Sequence, residues 1–96
     1  MTDVTERTVP KRRVTARIRR FRGVLMVGGP VDTYELSDSA AFIFRSVDGT
    51  RTVGEIGELV ADEYGVPLAE AVADAHELVT TLIECQIMEV VDGQAG

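Results

Sequence analysis

The stretch that decides the fold is residues 32–53, DTYELSDSAAFIFRSVDGTRTV, because its hydrophobic period changes from two to 3.6. Up to Leu36, apolar and polar residues alternate, as they do in a strand with one buried face. Ser37 is a good helix N-cap, and the apolar residues after it recur at helical spacing. The pattern therefore predicts strands before residue 37 and helices after it.

Two further strands are predicted upstream of this stretch. Residues 12–21 alternate between apolar and mostly basic side chains, which indicates a first strand with one buried face. The side chains expected to point inward are Val14, Ala16 and Ile18. Gly23 interrupts the alternation, and residues 24–27, VLMV, predict a second short strand.

A turn separates the second strand from the third. Residues 28–30, GGP, combine glycines, which adopt positive φ readily, with a proline that cannot continue a ladder. Residues 32–36 then form the third strand, with Tyr34 and Leu36 inward. Three antiparallel strands are the simplest arrangement.

Three helices follow. The first is predicted over residues 38–47, the second begins after the capping box of Thr52 and Glu55, and the third spans residues 68–86. Residues 87–91, IMEVV, are a candidate short terminal strand. Gly57 lies inside the second helix, where it costs about 1 kcal/mol relative to Ala, so either a neighbour packs closely there or the helix is weak. The fold class is α+β: a three-stranded antiparallel sheet followed by three helices, similar to a winged helix-turn-helix.

Length and charge limit the function classes. The chain has 96 residues, enough for one domain, which we expect at residues 12–91 between flexible tails at 1–11 and 92–96. One cysteine and no signal-peptide pattern predict a cytoplasmic protein, and no apolar run approaches the roughly 20 residues that span a membrane. The net charge is −6, yet residues 1–22 carry eight basic and two acidic residues, whereas the remainder carries two basic and fourteen acidic ones.

No catalytic or metal-binding group is evident in the sequence. His76 and Cys85 are the only residues of their kinds and lie nine positions apart on one predicted helix, about 13.5 Å along its axis. That separation is too large for a shared metal or proton, and no second His or Cys completes a zinc site. We therefore expect no enzyme activity, no metal and no cofactor.

The basic first strand raises two binding hypotheses. Arg13, Arg17 and Arg19 form a candidate docking patch for an acidic protein surface, or they could meet nucleic-acid phosphates. The alternative without a partner is that the arginines serve only solubility. The third helix argues against nucleic acid, because it has no Lys or Arg and carries several acids that a groove would repel.

Three segments together resemble one known family. They are residues 34–44, YELSDSAAFIF; residues 47–53, VDGTRTV, with Ile56; and the third-helix spacing of Asp74, Leu78, Val79, Leu82 and Ile87. The chain resembles the PqqD-like proteins, also called recognition elements of ribosomally synthesised and post-translationally modified peptides, over roughly residues 14–91. It departs from their pattern at Ser37, usually Asn, at Ala75, usually Val, and at Gln86, usually Gly.

The resemblance implies a binding mode rather than a reaction. Members bind the leader of a precursor peptide as an added strand against the third strand, in a groove shared with the third helix. Carried onto this chain, the expected peptide-binding residues are Asp32, Thr33, Tyr34, Glu35, Leu36, Asp74, Leu78, Thr81, Leu82 and Cys85.

The expected function is therefore that of a stand-alone, non-catalytic adaptor that presents a leader to a separate maturation enzyme. That enzyme could be a radical-SAM protein, a leader peptidase or a cyclase. Two alternatives remain open: a small winged-helix DNA-binding regulator, and an interaction or dimerisation module that pairs the third-strand edge with a second copy.

Overall fold

The structure, a computed structural model, describes residues 3–30 and 32–91. Its elements run in the order β1 (Pro10–Arg12), β2 (Arg17–Phe21), β3 (Val24–Gly28), β4 (Thr33–Leu36), α1 (Asp38–Ser46), α2 (Val53–Tyr64), α3 (Leu68–Glu84) and β5 (Met88–Val90). Strands β2, β3 and β4 form one antiparallel sheet in that order, and β1 pairs with β5 in a separate ribbon. The predicted three-stranded sheet and three helices are confirmed, and β5 lies within the candidate terminal strand at residues 87–91; strand β1 and its pairing with β5 are additions.

The three-stranded sheet is a meander with tight connections. Arg22 and Gly23 join β2 to β3, and both have positive φ, 53° and 80°, as the favoured two-residue hairpin turn requires. The pairing of Val27 with Tyr34 and of Leu25 with Leu36 places these four side chains on the inner face. Tyr34 and Leu36 therefore point inward as predicted.

Local signals explain where the first two helices begin and end. The Ser37 hydroxyl accepts from the Ala40 N–H at the start of α1, and Thr52 and Glu55 form the complete predicted capping box of α2. Gly65 ends α2 in the left-handed region with φ 66°, a conformation that glycine adopts without steric cost.

The core is formed between the inner face of the sheet, the helices and the ribbon. Its largest fully buried side chains are those of Pro10, Val27, Phe44, Val53, Ile56, Val79, Leu82, Ile87 and Met88. Helices α2 and α3 approach most closely at Gly57, where a Cβ would lie 2.5 Å from Val72 Cγ2 and 2.7 Å from Val72 Cα. Of the two alternatives given for Gly57, the structure shows the close neighbour, which is Val72.

The N-terminal region differs from both predictions made for it. A flexible tail was expected over residues 1–11, but Val9 is 3% exposed, Pro10 is buried and β1 pairs with β5. One strand was expected over residues 12–21, but the chain turns between β1 and β2, where Ala16 N–H donates to Arg13 C=O at 3.0 Å. The turn is needed because the two strands belong to separate sheets.

The same turn overturns the predicted inward face of that strand. Val14 is 101% exposed and Ile18 is 44% exposed, so neither is a core residue, while Ala16 is half-buried. Period-two alternation predicts a buried face only where another layer covers it, and β2 projects beyond the helices. The five residues of β2 are all exposed.

Residues 3–9 lie across the helices. Val53 N–H donates to Thr8 C=O at 2.9 Å and Gly54 N–H donates to Glu6 C=O at 2.8 Å, so the segment satisfies free donors at the start of α2. His76 Nε2 lies 2.5 Å from Val4 C=O, which ties the segment to α3. His76, singled out in the sequence, thus has a structural partner.

One departure from the family pattern, Gln86, lies just after the end of α3. Helix α3 stops at Glu84, two residues earlier than predicted, and Gln86 adopts φ 63°. This is the left-handed region that glycine favours, so glutamine there costs about 1–2 kcal/mol of backbone energy. The predicted tail at residues 92–96 lies outside the described residues. Among the described helices, none has the length and apolar character needed to cross a membrane.

We expect Gly57→Ala to destabilise the fold, although alanine is the better helix former. The new methyl group would overlap Val72 Cα, which is backbone and cannot move cheaply, so overpacking of about 1–3 kcal/mol should exceed the gain of about 1 kcal/mol in helix propensity. Thermal unfolding measures the effect, with the exposed Glu58→Ala of the same helix as control. Equal or higher stability of Gly57→Ala would contradict the close contact.

We expect the free energy of unfolding to decrease as pH falls, because of Asp48 in the turn between α1 and α2. Asp48 Oδ1 accepts from Thr50 N–H and Arg51 N–H, each at 2.9 Å, and from the Thr50 hydroxyl. These bonds, that of the Thr50 N–H first, lower the pKa of Asp48 from 3.8 to about 2. A lowered pKa means that the stabilisation is present above pH 3.8 and is lost as pH falls towards 2.

Asp48→Asn isolates this contribution, because it retains a carbonyl acceptor without the charge. Urea unfolding between pH 5 and pH 2 should show the wild type losing its advantage over the variant across the window from 3.8 to about 2. Parallel pH profiles for the two proteins would show that Asp48 does not behave in this way.

Candidate functional site

Strand β4 presents an open hydrogen-bonding edge. Gly29 N–H donates to Asp32 C=O at 2.9 Å, which makes Gly29 and Asp32 a hydrogen-bonded pair at the base of the β3–β4 hairpin. Such pairs alternate along an antiparallel ladder, so Tyr34 bonds to β3, whereas Thr33 and Glu35 direct their N–H and C=O groups away from it. No described strand pairs with that side of β4.

Two contacts with Cys85 hold β4 beside the end of α3. The backbone of Gly29 lies so close to the Cys85 C=O that a Cβ on Gly29 would overlap that oxygen and would lie 3.0 Å from Ile87 Cγ1. Tyr34 Oη and Cys85 Sγ are 2.9 Å apart and share a hydrogen bond. The open edge is thereby fixed relative to the helix.

The contact with Cys85 raises the pKa of the Tyr34 phenol. The hydrogen bond with Cys85 is the main cause that raises this pKa from 10.0 to about 12, followed by partial burial and by electrostatic interaction with Cys85 and Asp32. The phenol therefore stays protonated, and able to donate, throughout the physiological range.

A groove of about 330 Å³ lies between α1 and α3. Its lining residues are Ser39, Ala40 and Ile43 from α1, and Asp74, Glu77, Leu78 and Thr81 from α3. Ser37 alone connects β4 to α1, so the groove begins where the open edge ends. The groove combines apolar side chains with two carboxylates that stay exposed.

Most of the predicted peptide-binding residues are accessible, but two are not. Thr33, Glu35 and Asp32 are exposed, the last of them in the turn before β4. Asp74, Leu78 and Thr81 line the groove, and Tyr34 and Cys85 join the strand to the helix. Leu36 is 7% exposed and Leu82 is 1% exposed, so both belong to the core.

Leu82 was among the peptide-binding residues that the resemblance implied. Its side chain instead lies on the face of Ala75 and Val79, which is turned toward the core. Leu82 is therefore reassigned from the predicted peptide-binding residues to the core.

The sequence interpretation missed the α1 wall, which Ala40 and Ile43 supply together with Ser39. The available signal was the connection: one residue between β4 and α1 requires the helix to start beside the strand edge. Glu77 was also missed, although it lies three residues after Asp74 and therefore on the same side of α3.

The three arginines of the candidate docking patch do not lie together. Arg17 and Arg19 are exposed on β2, whereas Arg13 is half-buried in the turn after β1 and its N–H donates to Ile87 C=O at 3.0 Å. Within the described ranges, no three His, Cys, Asp or Glu side chains are grouped to hold a metal ion. The chemistry that the edge and groove offer is backbone pairing and side-chain burial.

Comparison with known proteins places this geometry in one family. Residues 22–88 match the family described as "Coenzyme PQQ synthesis protein D (PqqD)". A relative from Xanthomonas euvesicatoria pv. vesicatoria (strain 85-10), named "PqqA binding protein", is 28% identical over 92 residues, which cover 94% of this chain and 100% of the relative.

Two solved structures share the fold. One is the PqqD truncation of Methylobacterium extorquens PqqCD, described as a functional and stand-alone recognition element; it has a TM-score of 0.76 and 26% identity, and the match covers 92% of this chain and 96% of the other. The other is lasso peptide synthetase B1 complexed with the leader peptide, with a TM-score of 0.73, 19% identity and coverage of 84% and 98%. The second likeness concerns the fold alone.

We expect Cys85→Ala to return the Tyr34 pKa toward 10.0, because the hydrogen bond that chiefly raises it is removed. Ultraviolet absorbance of tyrosinate during an alkaline titration measures the shift, and Tyr34→Phe identifies which transition belongs to Tyr34. A raised pKa stabilises the fold below pH 10.0, and this contribution is lost as pH rises to about 12. An unchanged titration in Cys85→Ala would contradict the assigned cause.

Proposed function

This chain belongs to the PqqD family, and from that premise we propose that it is a stand-alone, non-catalytic adaptor. It binds the leader segment of a ribosomally synthesised precursor peptide and presents that peptide to a separate modifying enzyme. The observation that carries the proposal is the open β4 edge, fixed beside α3 and continuous with the α1–α3 groove.

The leader adds as a further strand on β4. Thr33 and Glu35 each offer one outward N–H and one outward C=O, so about four ladder bonds at roughly 0.5–1.5 kcal/mol each contribute about 2–6 kcal/mol. Micromolar affinity corresponds to about 8 kcal/mol. The ladder alone falls short of that value, so leader side chains must also bind the protein.

The groove provides for those side chains. Alternate residues of the added strand face the same side of the sheet as Tyr34 and Leu36, which is the side of the helices. Ala40 and Leu78, which are half-buried, offer an apolar surface there, and burying one large aliphatic side chain contributes about 1.5–3 kcal/mol. A leader with an apolar residue at that register fits the site, and its neighbours meet the carboxylates of Asp74 and Glu77.

Thr33→Pro tests strand addition directly. Proline at position 33 removes an outward N–H without removing a bond to β3, so we expect the affinity for a leader peptide to fall about tenfold or more. The leader encoded beside this gene, labelled for fluorescence anisotropy, serves as the ligand. Thr33→Ala is the matched control, because it loses the side chain but keeps the N–H.

Leu78→Ala tests the groove in the same assay. The variant should lose roughly 1–2 kcal/mol of binding, measured alongside thermal unfolding to show that the fold persists. If Thr33→Pro and Leu78→Ala both bind the leader like the wild type, the leader does not use this edge. If the leader never binds and the wild type elutes as a dimer that Thr33→Pro dissociates, the edge pairs copies of the chain instead.

A further inference from the structure

The outer face of the three-stranded sheet is a second exposed surface, distinct from the β4 edge. Strand alternation places Arg17, Arg19 and Phe21 of β2 on this face, opposite Gly28, Met26 and Val24 of β3. We call Arg17, Arg19, Phe21 and Met26 the basic face. No helix or other described strand covers it.

The cations of the basic face lack internal partners among the described residues. The ion pairs present in residues 3–30 and 32–91 join Lys11 to Glu89 and Arg51 to Asp48, and neither involves an arginine of β2. Glu35 is the acid that strand alternation places on this side, and it pairs with Met26 on β3, with β3 separating it from Arg19. The positive potential of β2 is therefore directed outward.

The basic face also contains apolar side chains. Phe21 is 62% exposed, and the Arg22 guanidinium lies 5.3 Å from the centre of its ring. A depression of about 750 Å³ runs between Phe21, Met26 and Pro30, with Arg17 and Arg19 among its lining residues. Exposed aromatic, methionine and arginine side chains are the types enriched at the centres of protein–protein interfaces.

We propose that the basic face docks an acidic patch with an apolar centre on the modifying enzyme, leaving the β4 edge free for the leader. The identity of that partner rests on the proposed function. Charge complementarity selects an acidic protein surface over nucleic acid. Residues 23–96 carry fourteen acids against two basic residues, so a long polyanion would be repelled beyond the β2 hairpin, whereas a compact acidic patch meets only the arginines.

The arrangement permits the adaptor to bind both partners together. A leader on β4 uses the outward backbone of Thr33 and Glu35 and the inner side of the sheet, while the basic face is centred on β2 and β3. The inward side chains of the leader and the enzyme therefore occupy opposite sides of the same small sheet, and the two sites adjoin at Thr33, which also lines the depression. The adaptor would hold the leader a sheet's thickness from the enzyme surface.

The test uses nuclear magnetic resonance of the full chain, labelled with ¹⁵N, and a glutamate-rich peptide with a central Phe as the probe. We expect amide shifts concentrated at Arg17, Arg19, Phe21 and Met26, an affinity that falls as salt is raised, and no change when the leader is saturating. Arg17→Glu with Arg19→Glu should weaken binding about tenfold or more. The control is Arg7→Glu with Arg45→Glu, which makes the same change in net charge at exposed positions off this face.

The outcomes separate this proposal from the proposed function. The docking proposal is supported if only the Arg17 and Arg19 variant loses probe binding while its leader affinity is unchanged. If the probe binds but no leader does, the docking proposal still holds and the proposed leader-binding function fails. Three results would overturn the docking proposal. They are an equal loss of probe binding in both charge variants, competition between probe and leader, and tighter binding of a short DNA duplex than of the probe.

Discussion

The close contact between the Gly29 backbone and the Cys85 carbonyl is the constraint on which the rest of the site depends. It brings the β3–β4 turn against the last turn of α3 with no space for a side chain between them. The hydrogen bond between Tyr34 and Cys85 then aligns the strand along the helix. Because β4 is held from this side, its other side can stay open without the strand separating from the fold.

The helices were predictable because their signals are local. Ser37, Thr52 and Glu55 act within one helical turn, and Gly57 indicated either a close neighbour or a weak helix before Val72 was known to pack there. The ribbon was not predictable, because β1 and β5 come from opposite ends of the chain and each contributes only three residues. Nothing near Pro10 in the sequence indicates the partner that buries it.

The candidate site was predictable only in part, for reasons of geometry. The strand edge followed from the order of elements and from the resemblance, but a one-residue error in helix rotation changes the direction of a side chain by about 100°. Leu82 and Leu78 illustrate this: both are leucines on α3, yet one is buried in the core and the other lines the groove. The α1 wall was missed because an apolar residue such as Ile43 looks the same in sequence whether it faces the core or a groove.

Strand β2 shows what hydrophobic periodicity alone does not predict. Alternation of apolar and basic residues predicted a buried face, but Val14 and Ile18 have no layer to cover them. Periodicity describes which residues share a side and cannot tell whether that side is covered. The same exposure leaves arginines on the outer side of the sheet without an ion pair among residues 3–30 and 32–91, whereas the helices cover its inner side.

The pairing of β1 with β5 brings Pro10 opposite Val90, so the last strand of the domain lies beside the first, while residues 3–9 continue across α2 and α3. The β4 edge belongs to the other sheet, and neither end of the described chain has to cross it. A domain of this shape can be spliced into, or joined end to end with, a larger polypeptide without blocking the β4 edge. The architecture is thus suited to serve equally as a free adaptor or as a built-in module of an enzyme.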